Sequence, residues 1–397
     1  MTTKILRNPS VSVLVLLALT QLLVAGTSDG ILSFGKTSLG GGIITFDAPG
    51  AGTLPLQGTL PRAINSGETI VGDYFDASFV NHSFLRDPDG TFSTFDPPGA
   101  VASGAWSINP AGAIAGPCRD ASSVHHGYLR DPNGTITTFD APGAGTGPDE
   151  GTFAYNINPT EVITGYYIDS SNVAHGFVRD ANGTITQFDA PGAGKGPGQG
   201  TFVTSVDGLD EAGATVGDYI DSSNVAHGFV RSSDGTITTF DVPGAGTGPN
   251  QGTAANGINS AGTIEGPYID ASNVNHGFVR DANGTITPFD VPGGGTGPGQ
   301  GTLPANINAS GAITGWYIDS STVFHGFVRS SDGTITTFDV PDAGTGFGRG
   351  TIPYCNNLLD AITGYYLDSN YVYHGFLRAP PRSNPTPRPR PTPAPRP

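Results

Sequence analysis

The stretch that decides the fold is residues 301–339, GTLPANINASGAITGWYIDSSTVFHGFVRSSDGTITTFD. It holds four short segments rich in Ile, Thr, Val, Phe and Tyr, and each is bounded by Gly, Asn, Asp or Ser. This pattern predicts four successive β-strands, with the last turn at Ser331-Asp332-Gly333. We therefore expect two hairpins that form one small antiparallel sheet.

The same unit recurs along the chain, and a histidine followed by Gly-Phe or a close variant marks each of seven copies. The marker histidines are His82, His126, His175, His227, His276, His325 and His374. Successive markers lie 44, 49, 52, 49, 49 and 49 residues apart. Because one four-stranded sheet leaves both of its faces in water, the copies must pack on each other to bury their Phe, Ile and Tyr side chains.

Radial packing of such copies gives a β-propeller, whereas linear packing gives a solenoid. Copies of this length with four strands each are typical of propeller blades. The array starts with an extra strand pattern, Ile43 to Asp47, which matches the fourth strand of a copy, and it finishes after a third strand at Arg378. The sequence therefore predicts an all-β fold over residues 42–378. The expected architecture is a seven-bladed β-propeller of four-stranded antiparallel blades, closed by the N-terminal strand, which completes the last blade.

The two ends of the chain differ from the repeats. Residues 1–26 place Lys4 and Arg7 before an apolar run at 11–24 and end in Ala25-Gly26, the layout of a secretory signal peptide. Its retention as a membrane anchor is the alternative, and no later segment is expected to span a membrane. Residues 379–397 alternate Pro with Arg, Thr and Ala, which predicts an extended, disordered tail. We therefore expect an extracellular or cell-surface protein.

The charge balance restricts the possible partners. The chain has 34 Asp and Glu residues against 18 Lys and Arg residues, and such an acidic body argues against nucleic acid. Four of the arginines lie in the 379–397 tail, so the tail could contact an anionic surface, or it could be solvated without a partner. Cys118 and Cys355 lie at non-equivalent positions of different copies, so no disulfide framework is expected.

Residues 42–378 resemble the bacterial probable extracellular repeats that are named for a His-Ala-Phe (HAF) signature. Here Gly usually replaces the Ala, and His82-Ser83-Phe84 and His126-Gly127-Tyr128 are further departures. The resemblance implies a secreted β-propeller. It supplies no catalytic residues that could be carried over to this chain.

Two short motifs match catalytic patterns in the wrong context. Gly30, Gly35, Lys36 and Thr37 spell a phosphate-binding loop, but a glycine run and a strand follow them where a helix is needed. Residues 26–30 spell a nucleophile elbow but lie at the predicted cleavage point. Glycine-rich loops such as 292–299 open no helix and are expected to connect strands. None of these motifs predicts a catalytic residue.

The repeated His and Asp residues are better explained by structure than by metal binding. One marker histidine per copy spreads these side chains around the array, whereas zinc needs its ligands within about 2.1 Å. We expect structural hydrogen bonds from them. The recurrent aspartates are expected to cap turns, with calcium as the alternative, and no cofactor is assigned. These aspartates are Asp76, Asp120, Asp169, Asp221, Asp270, Asp319 and Asp368.

Function is expected where the copies differ, because residues present in every copy serve a shared structural need. One column at the inner strand mixes aromatic, charged and amide residues, and it is expected to line the central mouth of the propeller. The column is Arg62, Trp106, Tyr155, Asp207, Asn256, Ala305 and Tyr354. Such chemistry suits a polysaccharide or a protein ligand, and the alternative is drift at an exposed rim. Charges that occur once, which could join this site, are Asp149, Glu150, Lys195 and Arg349.

Three functions remain open from the sequence. The first is a monomeric binding or interaction module with a polysaccharide or cell-wall ligand at the central mouth. The second is a propeller-type carbohydrate-active hydrolase or lyase, in which Glu150 and Asp207 would serve as acid and base. The third is a purely structural surface protein.

Overall fold

The computed structural model describes residues 42–205 and 207–380. Thirty β-strands and no helix occur in these two ranges, so the predicted all-β class is confirmed. Accordingly, the described ranges contain no helix that is long and apolar enough to cross a membrane. The predicted signal peptide, residues 1–26, and tail residues 381–397 lie outside the described residues.

The strands follow the sequence repeats. The N-terminal strand and the first two repeats comprise β1 (Ile43–Phe46), β2 (Gly58–Ile64), β3 (Ile70–Phe75), β4 (Asn81–Arg86), β5 (Phe92–Phe95), β6 (Ala102–Ser103), β7 (Ser107–Ile108), β8 (Ile114–Arg119), β9 (His125–Arg130) and β10 (Ile136–Phe139). The third and fourth repeats comprise β11 (Gly151–Ile157), β12 (Ile163–Ile168), β13 (Ala174–Arg179), β14 (Ile185–Phe188), β15 (Gly200–Phe202), β16 (Thr215–Ile220), β17 (Ala226–Arg231) and β18 (Ile237–Phe240). The last three comprise β19 (Gly252–Thr253), β20 (Gly257–Ile258), β21 (Ile264–Ile269), β22 (Asn275–Arg280), β23 (Ile286–Phe289), β24 (Gly301–Ile307), β25 (Ile313–Ile318), β26 (Phe324–Arg329), β27 (Ile335–Phe338), β28 (Gly350–Asn356), β29 (Ile362–Leu367) and β30 (Tyr373–Arg378).

Within a repeat, consecutive strands pair antiparallel as a meander. In the sixth repeat, β24 pairs with β25, β25 with β26 and β26 with β27. The seventh repeat contributes only three strands, and β1 pairs antiparallel with its last strand, β30. Ile43 lies opposite Arg378, and Phe46 lies opposite Gly375. The N-terminal strand thus occupies the place that a fourth strand has in the other repeats.

Packing explains why glycine stands in the middle of the marker motif. In the sixth repeat, a Cβ atom on Gly326 would lie 2.9 Å from the ring of Phe338 on the next strand. Phe327 of the same motif is fully buried, and a Cβ on Gly315 would lie 3.0 Å from its ring. Two aromatic rings therefore pack directly on glycine backbone. An alanine in place of Gly326 would push the Phe338 ring away, which accounts for the glycine in the marker motif of this repeat.

The marker histidines tie the outer strands of each repeat together. In the sixth repeat, Nδ1 of His325 lies 3.0 Å from the carboxylate of Asp339 at the end of β27, and Nε2 lies 3.6 Å from Asp319. The carboxylate of Asp319 also accepts the backbone N–H groups of Ser321 and Val323, at 2.8 Å each. The same bonds recur in the other repeats, so the predicted turn-capping role of the aspartates is confirmed.

The seventh repeat completes this pattern with a residue from the N-terminal strand. His374 lies between Asp47, 2.9 Å from its Nδ1, and Asp368, 3.9 Å from its Nε2. Burial opposes the charged form, but these two carboxylates outweigh it and raise the pKa of His374 to about 9. In residues 42–205 and 207–380, no three His, Cys, Asp or Glu side chains are arranged to hold a metal ion.

A second repeated polar residue connects neighbouring repeats. This residue stands at the turn between the first and second strands. In the sixth repeat it is Asn308, whose Oδ1 accepts the N–H groups of Ser310 and Ala312. Its Nδ2 donates to the backbone oxygen of Asn357 in the next repeat at 2.9 Å. Asn357 in turn donates to the backbone oxygen of Asn65 in the first repeat at 3.0 Å. One side chain therefore forms the turn of its own repeat and holds the following repeat.

We call this series the asparagine belt. Its members are Asn65, Asn109, Asn158, Asp210, Asn259, Asn308 and Asn357. Bonds of 2.9–3.3 Å join each asparagine to the backbone of the next member. The fourth member is the exception, since Asp210 has a carboxylate where the others have an amide, and a carboxylate has no N–H group to donate. The belt is thus interrupted between Asp210 and Asn259.

The Asp210→Asn variant should repair this interruption. The new amide can donate to the backbone oxygen of Asn259, while its oxygen keeps the bond that Asp210 accepts from Ala214. We expect an increase of about 1 kcal/mol in the free energy of unfolding, measured by urea denaturation. The matched control is Asn259→Asp, which removes the equivalent donor one repeat later and should lower stability by a similar amount. Equal stability of Asp210→Asn and the parent chain would contradict the role of the belt.

Candidate functional site

The variable column of the sequence lies at irregular positions of the innermost strands. The pairing register shifts between Pro61 and Ala63 in the first repeat, and it shifts at the same point in the third, sixth and seventh repeats. The extra residues at these bulges are Arg62, Tyr155, Ala305 and Tyr354. A bulge leaves its extra residue outside the ladder and redirects the side chain. The column can therefore vary without disturbing the sheet.

Arg62 joins three repeats at the centre. Its Nε donates to the carboxylate of Asp73 at 2.6 Å, and its guanidinium lies 5.4 Å from the ring centre of Trp106 and 5.3 Å from that of Tyr354. Burial opposes the charged form, but the adjacent Asp73 outweighs it, and the pKa of Arg62 is raised above its ordinary value. The guanidinium is thus held in place by one carboxylate and two aromatic rings.

Tyr155 supports this cluster from beneath. The rings of Trp106 and Tyr155 meet edge to face at 4.3 Å, and Tyr155 also packs on Tyr166 at 5.7 Å. Tyr155 is 1 % exposed, whereas Trp106 is half-buried. Trp106 is therefore accessible to a ligand, while Tyr155 holds its ring from below.

A small cleft, with a volume of about 20 Å³, opens beside the cluster. We call it the central cleft. Tyr354 belongs both to its lining and to the Arg62 cluster, and Asn256 and Ala305 of the variable column also line it. The complete lining is Thr204, Ser205, Asn256, Ala305, Trp316 and Tyr354. The structure therefore gathers Arg62, Trp106, Tyr155, Asn256, Ala305 and Tyr354 into one region.

Two lining residues come from an insertion. Ten residues separate Gly200 from Asp210 in the fourth repeat, whereas seven separate Gly301 from Asn308 in the sixth. The first strand of the fourth repeat, β15, ends early at Phe202, and Thr204 and Ser205 of the longer segment line the central cleft. This insertion accounts for the single 52-residue interval between markers. The 52-residue interval was therefore the feature of the sequence that could have identified Thr204 and Ser205.

Asp207 lies away from the cleft lining and contacts the opposite side of the array. The thiol of Cys355, in the seventh repeat, lies 3.8 Å from its carboxylate and donates to it. Burial raises the pKa of Asp207 to about 7. This contact joins the fourth and seventh repeats across the centre of the molecule. The central opening is therefore closed where the side chains of Asp207 and Cys355 meet.

A buried glutamate nearby has a structural explanation. Glu265 is fully buried, and burial, followed by the charge of Asp207, raises its pKa well above the ordinary value. Its carboxyl fills the space over Gly257, where an added Cβ would lie 2.7 Å from Oε1. In the sixth repeat Asn306 occupies the equivalent place and accepts the N–H of Asn356. Glu265 therefore occupies the space of the side chain that is missing at Gly257, but neither of its carboxyl oxygens has a hydrogen-bond partner among the described residues.

Sequence reasoning missed a second variable column. It is the middle residue of the Gly-x-Tyr motif on the second strand, and it places Asp73 beside Arg62 and Trp316 in the central cleft. Its members are Asp73, Pro117, Tyr166, Asp218, Pro267, Trp316 and Tyr365. The same criterion, variation among otherwise uniform copies, identifies this column. Its proximity to the first column follows from the strand pairing.

The charges that occur once lie in the loops and serve other contacts. Glu150 accepts the N–H of Gly147 in its own loop at 2.7 Å, as Gln300 does for Gly297 in the sixth repeat. Asp149 lies beside Glu150 in the same loop, and Lys195 is an exposed loop residue. Arg349 donates to the backbone of the next turn. No bond between Glu150 and Asp207 is found in the described part of the chain.

Comparison with known proteins identifies the fold. No model of a known protein family and no curated protein matches the chain. Among solved structures, streptogramin B lyase is 15 % identical, with a TM-score of 0.50, covering 85 % of this chain and 98 % of its own. The BP39L lectin from Burkholderia pseudomallei is 10 % identical, with a TM-score of 0.52, covering 80 % and 94 %. The fold is a β-propeller. At these identities the similarity concerns the fold alone.

Proposed function

We propose that the chain is a seven-bladed propeller closed by its N-terminal strand. Two contacts between the ends of the repeat array support this. β1 pairs with β30, and Asn357 of the seventh repeat donates to the backbone of Asn65 in the first. A linear array would leave its last and first copies far apart, since each copy contacts only its neighbours.

We further propose that this propeller is a binding module for a carbohydrate at the central cleft. The observation that carries the proposal is Tyr354, whose ring lies against the Arg62 guanidinium and also lines the cleft. The cleft is shallow, since its volume of about 20 Å³ has room for about one water molecule. A terminal sugar unit of a polysaccharide would therefore lie against the mouth of the cleft and would not fill it.

The chemistry of the lining suits a sugar. The ring of Tyr354 is partly exposed and can bind the apolar face of a sugar ring, while Trp316 is only 4 % exposed. The hydroxyl of Ser205 can bond to the sugar hydroxyl groups, whereas the amide of Asn256 already donates to the backbone oxygen of Pro304 at 3.0 Å. The similar Burkholderia pseudomallei protein is a lectin by name, so a propeller is compatible with sugar binding. Secretion and membership of the HAF repeat family remain predictions from residues 1–26 and from the marker motif.

The test is a binding screen of the purified chain without residues 1–26 against polysaccharides and cell-wall fragments. The chain has two tryptophans, and Trp106 and Trp316 both lie in the region described, so tryptophan fluorescence reports on the site directly. We expect a saturable change with one class of glycan. We expect Tyr354→Ala to weaken that binding at least tenfold, which corresponds to about 1.4 kcal/mol.

The matched control is Tyr317→Ala. Tyr317 is adjacent in sequence to Trp316, but its ring stacks on the marker histidine His325 at 4.9 Å instead of lining the cleft. Its loss should leave glycan affinity unchanged in a chain that remains folded by circular dichroism. Equal weakening by both substitutions would count against the central cleft. The absence of binding by any glycan would favour a structural role for the propeller.

A further inference from the structure

The seventh repeat departs most from the others in its loops. In the loop that leads into β28, Asp342 stands where the other repeats have Gly, and Phe347 stands where most have Pro. In the turn after β29, Tyr371 stands where three repeats have Asn. The loop before β2, which contacts this turn, has Leu54 and Leu56 in place of Gly, Asp or Asn. Apolar residues thus replace turn residues in one sector.

These residues form a connected surface, which we call the junction patch: Leu54, Leu56, Phe347 and Tyr371. The hydroxyl of Tyr371 donates to the backbone oxygen of Phe347 at 3.0 Å, and the N–H of Leu56 donates to that of Tyr371 at 2.8 Å. Leu54 is 56 % exposed and Phe347 is 52 % exposed. The patch therefore presents apolar area to solvent at the junction of the last and first repeats.

The backbone at Tyr371 is strained. Its φ is 63°, in the left-handed region that Asn adopts readily and a bulky residue does not. The equivalent residues of the other six repeats share this conformation, with φ of 61–65°: Phe79, Ser123, Asn172, Asn224, Asn273 and Thr322. Tyr371 and Phe79 are thus aromatic residues at a position where asparagine would fit with less strain.

The patch lies on an acidic body. Burial, followed by the carboxylates of Asp342, Asp47 and Asp368, raises the pKa of Tyr366 above its ordinary value, and His374 pairs with the last two of these carboxylates. More broadly, Asp29 is the only one of the 34 acidic residues outside residues 42–380. A guanidinium already rests on the patch, since that of Arg349 lies 4.5 Å from the ring centre of Tyr371. One face of the Tyr371 ring is thus covered by Arg349, and the exposed apolar area of the patch lies at Leu54 and Phe347.

One segment of the chain matches these requirements. Residues 381–397 contain eight prolines and four arginines and no acidic residue. Proline-rich segments adopt an extended left-handed helix that binds aromatic grooves with little loss of entropy. The arginines add charge opposite to that of the body. We propose that the junction patch binds residues 381–397 of the same chain.

The distances allow this contact within one molecule. The segment follows Pro380, just after β30, and the other end of β30 begins two residues after Tyr371. A six-residue strand spans about 20 Å at about 3.3 Å per residue. Seventeen residues would span about 53 Å at the polyproline-helix rise of about 3.1 Å per residue. The segment is thus long enough to return along β30 to the patch.

A paramagnetic label tests the proposal in the full chain. Ala394→Cys carries the label, because the two native cysteines, Cys118 and Cys355, are buried. We expect the label to attenuate backbone amide signals of the loop at 339–350. The equivalent loop of the fifth repeat, residues 241–252, is the internal control and should keep its signals. Equal attenuation of both loops, or of neither, would overturn the proposal.

Substitution to the residues of other repeats separates binding from folding. Phe347→Pro combined with Tyr371→Asn should abolish the attenuation while leaving the melting temperature unchanged or higher, because Asn relieves the strained backbone. Asn224→Ser, which introduces the residue of the second repeat at the equivalent position, should change nothing. Attenuation that survives the double substitution would overturn the proposal. Attenuation that disappears on dilution would reject the same-chain contact in favour of one between two copies.

Discussion

Deletion of residues 42–47 is expected to destabilise the whole propeller, not only its N-terminal end. β1 forms four residue pairs with β30, and the ring of Phe46 contacts Phe92 and the Arg86 guanidinium in the first repeat. Its loss would expose the edge of β30 and separate the last repeat from the first. We expect a decrease of roughly 4 kcal/mol or more in the free energy of unfolding, because the strand pairs, the partly buried Phe46 ring and the contact between the last and first repeats are lost together.

Urea denaturation followed by far-ultraviolet circular dichroism measures this effect. The control is a chain that lacks residues 381–397, which should unfold at the same urea concentration as the parent. A solenoid would lose one terminal strand and keep the stability of its other copies. A decrease below about 1 kcal/mol would therefore reject closure by the N-terminal strand.

The second prediction with a large expected effect concerns the ion pair between Arg62 and Asp73 at the centre of the molecule. Asp73→Ala should lower the free energy of unfolding by about 3–5 kcal/mol, because it leaves the largely buried guanidinium of Arg62 without its carboxylate. The side chain of Asp73 is 1 % exposed and that of Arg62 is 15 % exposed. Arg62 should also leave its place between Trp106 and Tyr354. Glycan affinity should therefore fall together with stability.

A double substitution distinguishes loss of the pair from loss of packing. Arg62→Met with Asp73→Leu removes both charges and keeps apolar volume, so most of the stability should return. Glycan affinity should stay low in this variant if Arg62 contributes to the site. Chemical denaturation and tryptophan fluorescence on the same samples measure both quantities. A destabilisation by Asp73→Ala of less than 1 kcal/mol would mean that the pair contributes little.

Local sequence patterns predicted the strands and turns well. The recurrent aspartates cap the turns that they were expected to cap, as Asp319 does for Ser321 and Val323. The all-β class and the propeller fold follow from the same short-range signals, since they depend on residues within about one repeat of each other. The 52-residue interval between His175 and His227 also indicated the insertion that supplies Thr204 and Ser205.

The sequence did not predict how exposed each residue of the variable column would be. Trp106 and Tyr155 occupy equivalent positions, yet one is half-buried and the other is buried beneath it. Asp207 belongs to the same column but contacts Cys355 across the centre. The first strand of its repeat, β15, ends at Phe202, so Asp207 lies outside the strand that holds this column in the first, third, sixth and seventh repeats. Exposure at each position therefore depends on the side chains contributed by other repeats.

By itself, the sequence determined the repeat, its four strands and the turn and marker residues, because each of these depends on bonds between residues close together in the chain. The tertiary structure alone decided which different residues meet. Arg62, Trp106 and Tyr354 come from the first, second and seventh repeats, and they touch only because the array brings its last copy beside its first. Contacts of that kind depend on how many copies pack around the centre and at what angle, and no single copy of the repeat encodes either quantity.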